Sequence, residues 1–297
     1  GEGAGLPSDW LIALETREEI GSLLRQDRYV DLVIPRGSKE FVARIQATSR
    51  IPVLGHSDGV CHVYVHEDAD PAMARAIAID SKIQYPAACN AAEVLLVHKD
   101  YAETGLRPLL SSLSGAGVRL DICPRCEAIL LREAEEAEEA GKTGRDAGIQ
   151  ARARERAPEY SVKRDENWAV EYLDTRMAVK IVDSLEDAID HINEFGSGHT
   201  DAIVSTSGEA AAIFMAKVDS ASVYHNASTR FADGYRYGLG AEVGISTGKL
   251  HARGPMGLQG LLSYKWLLEG SGQIVADYAS GRRSFEHKDL PLDGEGR

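Results

Sequence analysis

Short apolar runs alternate with amphipathic stretches along most of the chain. Leu-Ile-Ala-Leu at 11–14, Asp-Leu-Val-Ile-Pro at 31–35, Ile-Pro-Val-Leu-Gly at 51–55 and the apolar run 60–65 read as strands. Between them, Thr16 and Glu19 make a Thr-x-x-Glu capping box that opens a helix to about Leu24. A second helix starts at Lys39, and a third spans 71–83 with Pro71 at its head. The alternation resumes with a strand at 93–98, a helix at 101–114 and a strand at 118–122. It returns with a strand at 178–182, a helix capped by Ser184 and running to about Phe195, a strand at 202–204, a helix at 209–217 and a strand at 222–224. Strands that alternate with helices of this length predict βαβ units and a mostly parallel sheet, an α/β fold.

Two intervals break the pattern. The stretch 127–156 is rich in Ala, Glu and Arg, with Glu-Glu repeats early and Arg-x-Arg later. It reads as a solvated helix, or a helix pair broken at Gly141 and Gly144; a partner-binding arm is the other reading. From 226 to 260 glycines crowd a stretch too irregular for helix or sheet, and so long a loop in a compact protein is usually functional. No tandem repeat of fixed period is evident.

Composition narrows the class. The net charge of −13 argues against a non-specific nucleic-acid binder, yet a locally basic pocket for a small anion is compatible with it. No apolar run approaches the roughly 20 residues that cross a bilayer, so no membrane partner is expected. The opening Gly-Glu-Gly-Ala-Gly has neither a basic nor an apolar region of the kind a secretory signal needs. Four cysteines in 297 residues read as a reduced, cytoplasmic protein and not a disulfide scaffold. Cys123 and Cys126 form a lone C-x-x-C with no second pair or histidine partner, so no metal site is expected.

Two segments could hold chemistry. Cys89 lies in Tyr-Pro-Ala-Ala-Cys-Asn-Ala at 85–91, on a turn with small neighbours that let a carbonyl approach the sulfur. A nearby helix start would lower the thiol pKa. A buried, inert cysteine is the alternative, since free cysteine is among the most buried residue types. The second segment is Asn-Ala-Ser-Thr-Arg-Phe at 226–231, continuing through Gly-Leu-Gly-Ala-Glu-Val-Gly-Ile-Ser-Thr at 238–247 to His-Ala-Arg-Gly-Pro at 251–255. Ser228, Thr229, Arg230 and Arg253 offer anion-binding groups, and the glycines allow close backbone approach. Gly238-x-Gly240 lacks the third glycine and the βαβ context of a dinucleotide fingerprint.

These runs, with Val-Ile-Pro-Arg-Gly-Ser at 33–38, Ile-Pro-Val-Leu-Gly-His at 51–56 and His-Thr-Asp-Ala-Ile-Val at 199–204, resemble the signatures of gamma-glutamyl phosphate reductase. That family is a branch of the aldehyde dehydrogenase superfamily, found alone or as the C-terminal half of bifunctional pyrroline-5-carboxylate synthase. The resemblance runs in order from about 31 to 272 and is broken mainly around 123–166. Several long motifs in one order are far more specific than any single short pattern.

The resemblance implies an aldehyde dehydrogenase-like fold. Its expected parts are the rear of a Rossmann-type NADP-binding domain at 1–85 and an α/β catalytic domain at 86–239, with a charged helical insertion at about 124–166. A return to the cofactor domain at 240–260, an oligomerisation strand at 261–280 and a tail at 281–297 would follow. It implies NADPH-dependent reduction of L-glutamyl 5-phosphate to glutamate 5-semialdehyde and phosphate, in proline biosynthesis, by a homo-oligomer. Cys89 would be the nucleophile, with Asn90 as an oxyanion donor. Ser228, Thr229 and Arg230 would hold the glutamyl carboxylate or the phosphate; Arg253 would assist them or anchor the loop. Gly37 and Ser38 at a helix start, with Gly55 and His56, would meet the NADP pyrophosphate side. The family extends further upstream, so its first cofactor-binding residues have no counterpart here, and a catalytically incomplete fragment or assembly module is one alternative. An enzyme oxidising free aldehydes is another, but its Glu-Leu-Gly-Gly base would fall on 55–59, which reads Gly-His-Ser-Asp-Gly.

Overall fold

The computed structural model describes residues 5, 10–56, 58–143, 157–249 and 252–287. His251, Gly144 and the remainder of 144–156, and the end of the expected tail, lie outside the described residues. The described chain forms two units, divided between Leu261 and Leu262.

The larger unit is built on a seven-stranded sheet in the order β4-β3-β5-β2-β1-β6-β7, and every pairing in it is parallel. The strands are β1 (Cys61–Val65), β2 (Ala92–His98), β3 (Arg119–Ile122), β4 (Tyr160–Val162), β5 (Arg176–Val182), β6 (Thr200–Val204) and β7 (Ser222–His225). The helices are α1 (Arg17–Leu23), α2 (Lys39–Thr48), α3 (Pro71–Ile83), α4 (Lys99–Gly115), α5 (Pro124–Thr143), α6 (Leu185–Phe195) and α7 (Gly208–Lys217). Central strands of such a sheet are covered on both faces, which explains why β1, β2 and β6 are buried at every position.

Polar residues inside these strands are paired. His62 donates its backbone N–H to Asp201 Oδ1 at 2.7 Å and sets its ring Nδ1 2.9 Å from the same oxygen. Glu93 meets Lys82 Nζ at 2.6 Å with both side chains fully buried. The helix starts follow the capping signals. Thr16 and Glu19 close the capping box of α1, while Asp70 caps α3 ahead of Pro71, Ser184 caps α6 and Ser207 caps α7.

Several local expectations are corrected. Residues 11–14 form no strand, and Leu11 and Ile12 are exposed. The runs 31–35 and 51–55 shrink to one parallel bridge, Val33 to Val53, because Pro35 and Pro52 each lack the N–H a longer ladder needs. Helix α5 passes through Gly141 without a break. The stretch 226–260 holds order after all: a 3-10 turn at Thr229–Phe231 and an antiparallel ribbon of β8 (Gly244–Ser246) and β9 (Gly254–Met256). Strand β4 gave no signal because it is three residues long and largely exposed.

The smaller unit, from Leu262, contains α8 (Val275–Ala279), held by Arg282 to Asp277 at 2.8 Å and by Tyr278 stacked on Phe285. In its first residues Tyr264, Trp266, Leu267 and Leu268 are exposed. Among the described residues, no helix is long and apolar enough to cross a membrane.

Candidate active site

The amino ends of the central strands converge on Cys89. The thiol sits on the turn between α3 and β2, His199 stands immediately before β6, and Gly59 lies two residues before β1. Gly59 packs directly on the turn: a Cβ there would fall 2.1 Å from the Cys89 carbonyl oxygen and 2.6 Å from its Cα. Only glycine allows that approach. Cys61 Sγ donates to the same carbonyl at 3.3 Å, so the backbone under the thiol is fixed from two sides.

The sulfur itself is half-buried and lies 3.2 Å from His199 Nε2. Burial holds the His199 imidazole neutral, lowering its pKa to about 3, with the His56 and Arg230 charges adding to the effect. Burial also raises the Cys89 thiol to about 11, and the Glu171 carboxylate pushes the same way. The resting pair is therefore a thiol donating to a neutral imidazole. This corrects the expectation of an acidic thiol: desolvation outweighs the opposing Arg230 charge. The other ring nitrogen of His199 lies 2.8 Å from Thr200 Oγ1, and the His56 ring meets the His199 ring edge-on at 4.9 Å.

His56 also lines a neighbouring cleft of about 420 Å³, together with Arg36, Gly37, Ser38, Glu171 and Leu173 among others. Three of the four residues expected to meet a cofactor are thus on one cleft. Ser38 caps α2, its hydroxyl accepting from Phe41 N–H at 3.4 Å. Gly55 is behind them, its carbonyl accepting from Gln46 Nε2 at 3.4 Å. His56 donates from Nδ1 to the Ile245 carbonyl of β8 at 3.0 Å, and Arg36 donates to the Val243 carbonyl just before it at 2.6 Å, so two residues of the cleft are tied to this segment.

The Ser-Thr-Arg turn reaches the same region. Asn226, at a positive φ of 56°, exchanges side-chain hydrogen bonds with the Ser205 backbone and turns the chain back from β7. Ser228 Oγ accepts from Ser81 Oγ at 3.2 Å, and Thr229 N–H donates to Ser81 Oγ at 3.2 Å, which fastens the turn to α3. The Thr229 hydroxyl is buried without a hydrogen-bond partner among the described residues. Arg230 donates from Nε to Gln84 Oε1 at 2.8 Å and lays its guanidinium over the Tyr85 ring. Asn90 Nδ2 donates to the Ala232 carbonyl at 2.9 Å, tying the thiol turn to this loop. Arg253 is engaged elsewhere, with two bonds of 2.9 Å to Asp219, one to its carboxylate and one to its carbonyl.

No family model matches the chain. The gamma-glutamyl phosphate reductase of Pelotomaculum thermopropionicum is 50% identical over 290 residues, which are 98% of this chain and 60% of the relative. This chain is homologous to the gamma-glutamyl phosphate reductases. It spans about 60% of the length of the curated relatives it matches. The crystal structure of the gamma-glutamyl phosphate reductase of Thermotoga maritima superposes with a TM-score of 0.76 at 34% identity, covering 87% of this chain and 56% of that one. An acetylating aldehyde dehydrogenase of Geobacillus thermoglucosidasius, 21% identical, shares the fold with a TM-score of 0.52 over 77% of this chain and 54% of that one.

Two residues at the site escaped the sequence reading of roles. His199 opens a run that carried the reductase resemblance, and its position directly before a buried strand was the available signal. Glu171 had none: it lies in an irregular stretch between β4 and β5 and reaches the cleft only through the fold, accepting from Gly59 N–H at 2.9 Å.

Proposed function

We propose that this chain carries the catalytic half-site of a gamma-glutamyl phosphate reductase, converting L-glutamyl 5-phosphate to glutamate 5-semialdehyde and phosphate in proline biosynthesis. The observation that carries the reading is the Cys89 sulfur set 3.2 Å from a neutral His199 imidazole beside the α2 cleft. His199 Nε2 accepts the thiol proton as the sulfur attacks the acyl phosphate carbonyl; phosphate leaves and a Cys89 thioester remains. A thiol raised to about 11 needs that base, even though the acyl phosphate is already activated. Asn90 fixes the turn through Ala232, and its second amide N–H is the oxyanion donor we nominate. Arg230, steadied by Gln84 and Tyr85, offers its terminal nitrogens to an anionic group of the substrate. Ser228 and Thr229 set the height of that turn on α3. Arg253 serves the loop through Asp219, the structural alternative of its two expected roles.

The residues of the cleft fit the phosphate end of a nicotinamide dinucleotide. Gly37 and Ser38 place the start of α2 at its edge, where backbone N–H groups and the helix dipole favour an anion. NADPH, when bound there, supplies the hydride that reduces the thioester. His56 then closes the inner wall beside the thiol, and His199 returns its proton to the sulfur as aldehyde departs. The exposed segment that holds Tyr264, Trp266 and Leu268 supports a homo-oligomer in which a second copy covers it. A cytoplasmic location and the division at residues 85 and 239 complete the reading.

The test is phosphate-dependent oxidation of glutamate semialdehyde by NADP. The chain joined to the upstream part of the family domain is expected to support it, and Cys89→Ala in that protein to abolish it; full activity in that variant would remove the thiol from the mechanism.

A further inference from the structure

We propose that Cys89, His56 and His199 also form a binding site for a thiophilic divalent cation of the zinc class, which would compete with the acyl transfer above for the same sulfur. One ligand atom from each residue lies within 4.8 Å of the other two. Tetrahedral zinc with two imidazoles and one thiolate places its ligand atoms about 3.3–3.6 Å apart, from metal bonds near 2.0–2.1 and 2.3 Å. The Cys89 to His199 separation of 3.2 Å is within about 0.4 Å of the sulfur–nitrogen value. Closing the site needs His56 to move inward by up to about 1.5 Å, and His56 is only half-buried beside the open cleft.

Proximity alone would be weak support, since a nucleophilic cysteine often has a histidine near it. The outer partners add an independent observation. The Ile245 carbonyl can only accept, so His56 bonds it through a protonated Nδ1, which leaves Nε2 as the nitrogen that can meet a metal. His199 has the same arrangement, with Nδ1 on Thr200 Oγ1 and Nε2 aimed at the sulfur. Metal-bound histidines are oriented in this way, by a backbone or side-chain oxygen on the nitrogen that does not bind the ion. Two imidazoles and one sulfur leave a fourth position for water or an anion at the cleft. On binding, the metal–sulfur bond replaces the S–H bond and the proton passes to solvent. An ion held there occupies the sulfur lone pair, so the thiol is reversibly masked.

Cobalt is the probe, because a thiolate bound to Co²⁺ absorbs in the near ultraviolet and a tetrahedral site gives intense visible bands. Titration of the chain with Co²⁺ is expected to develop both signals with one equivalent, and Zn²⁺ to displace them. Cys89→Ala should abolish the ultraviolet band, and His56→Ala should weaken binding by about 100-fold or more. Thr200→Val, which removes only the outer partner of His199, should weaken binding by about 10- to 100-fold. As a second measurement, Zn²⁺ should protect Cys89 from iodoacetamide in the native chain and fail to do so in His56→Ala. The proposal is overturned if the native chain gives no thiolate band. It is equally overturned if the band survives Cys89→Ala and disappears in the Cys123→Ala/Cys126→Ala variant.

Discussion

The two cysteine sites of this protein differ in a way that inverts the usual search for a reactive thiol. Cys123 sits at the head of α5 with its sulfur 3.5 Å from that of Cys126, and this hydrogen bond pulls its pKa down to about 6. Cys89 is pushed up to about 11 by burial. Acidity alone would select Cys123. Yet both sulfurs of the C-x-x-C pair are buried in the hydrophobic core, packed beside β5. Cys89 instead is half-buried and faces an imidazole, which packs against His56 of the neighbouring cleft. A nucleophile needs a substrate beside it and a route for its proton, and resting acidity is secondary when a base is in contact.

The comparison breaks most sharply on activity. Cys89→Ala should lower semialdehyde oxidation by about 10³-fold or more, whereas Cys123→Ala should stay within about threefold; assays of the two purified variants side by side decide it. His199→Ala should cost about 10²- to 10⁴-fold in kcat, the usual range for a general base. If the thiol needed no base, that variant would keep its rate.

Stability should follow pH through the buried histidines. His199 and His191 are depressed to about 3 and about 2, mainly by burial, from an ordinary value near 6.5. Their neutral form is favoured by folding, so their contribution is complete above pH 6.5 and is lost as pH falls below it, continuing down toward the folded values. Each should contribute a slope of about 1.4 kcal/mol per pH unit in that window. Urea denaturation at pH 7 and pH 5 should show the loss, and His191→Gln should make it shallower.

The smallest effect sharpens the electrostatic side of the contrast. Glu171 raises the Cys89 pKa, so Glu171→Gln should lower it and speed iodoacetamide labelling of Cys89 at pH 8 about two- to fivefold. Labelling of Cys123, on which Glu171 exerts no comparable influence, should not change.

Much of this was legible in the sequence, for identifiable reasons. Strands buried on both faces announce themselves as continuous apolar runs, and caps such as Thr16 and Ser184 mark helix starts within a residue. Cys89, Arg230 and Gly37 stood in long motifs with glycines and small residues, which identify turns. The thiol pKa was misjudged because it depends on burial, and burial belongs to the fold and not to the flanking residues. His199 was visible but had no role until β6 lay beside the thiol turn. Glu171 was out of reach, since no local pattern tells which loop carboxylate will be carried 112 positions along the chain to Gly59. The proline-limited bridge at Val33 and Val53 shows the opposite error, where apolar runs overstate pairing that the backbone cannot complete.

The central claim is that the Cys89 sulfur bonds to the substrate carbonyl. Rapid quenching after exposure to L-glutamyl 5-phosphate without NADPH, followed by peptide mass spectrometry, tests it most directly. A glutamyl adduct confined to the Cys89 peptide, absent from Cys89→Ala, is the predicted result. Phosphate release with no adduct on that peptide, or with the adduct on Cys123, would contradict the account.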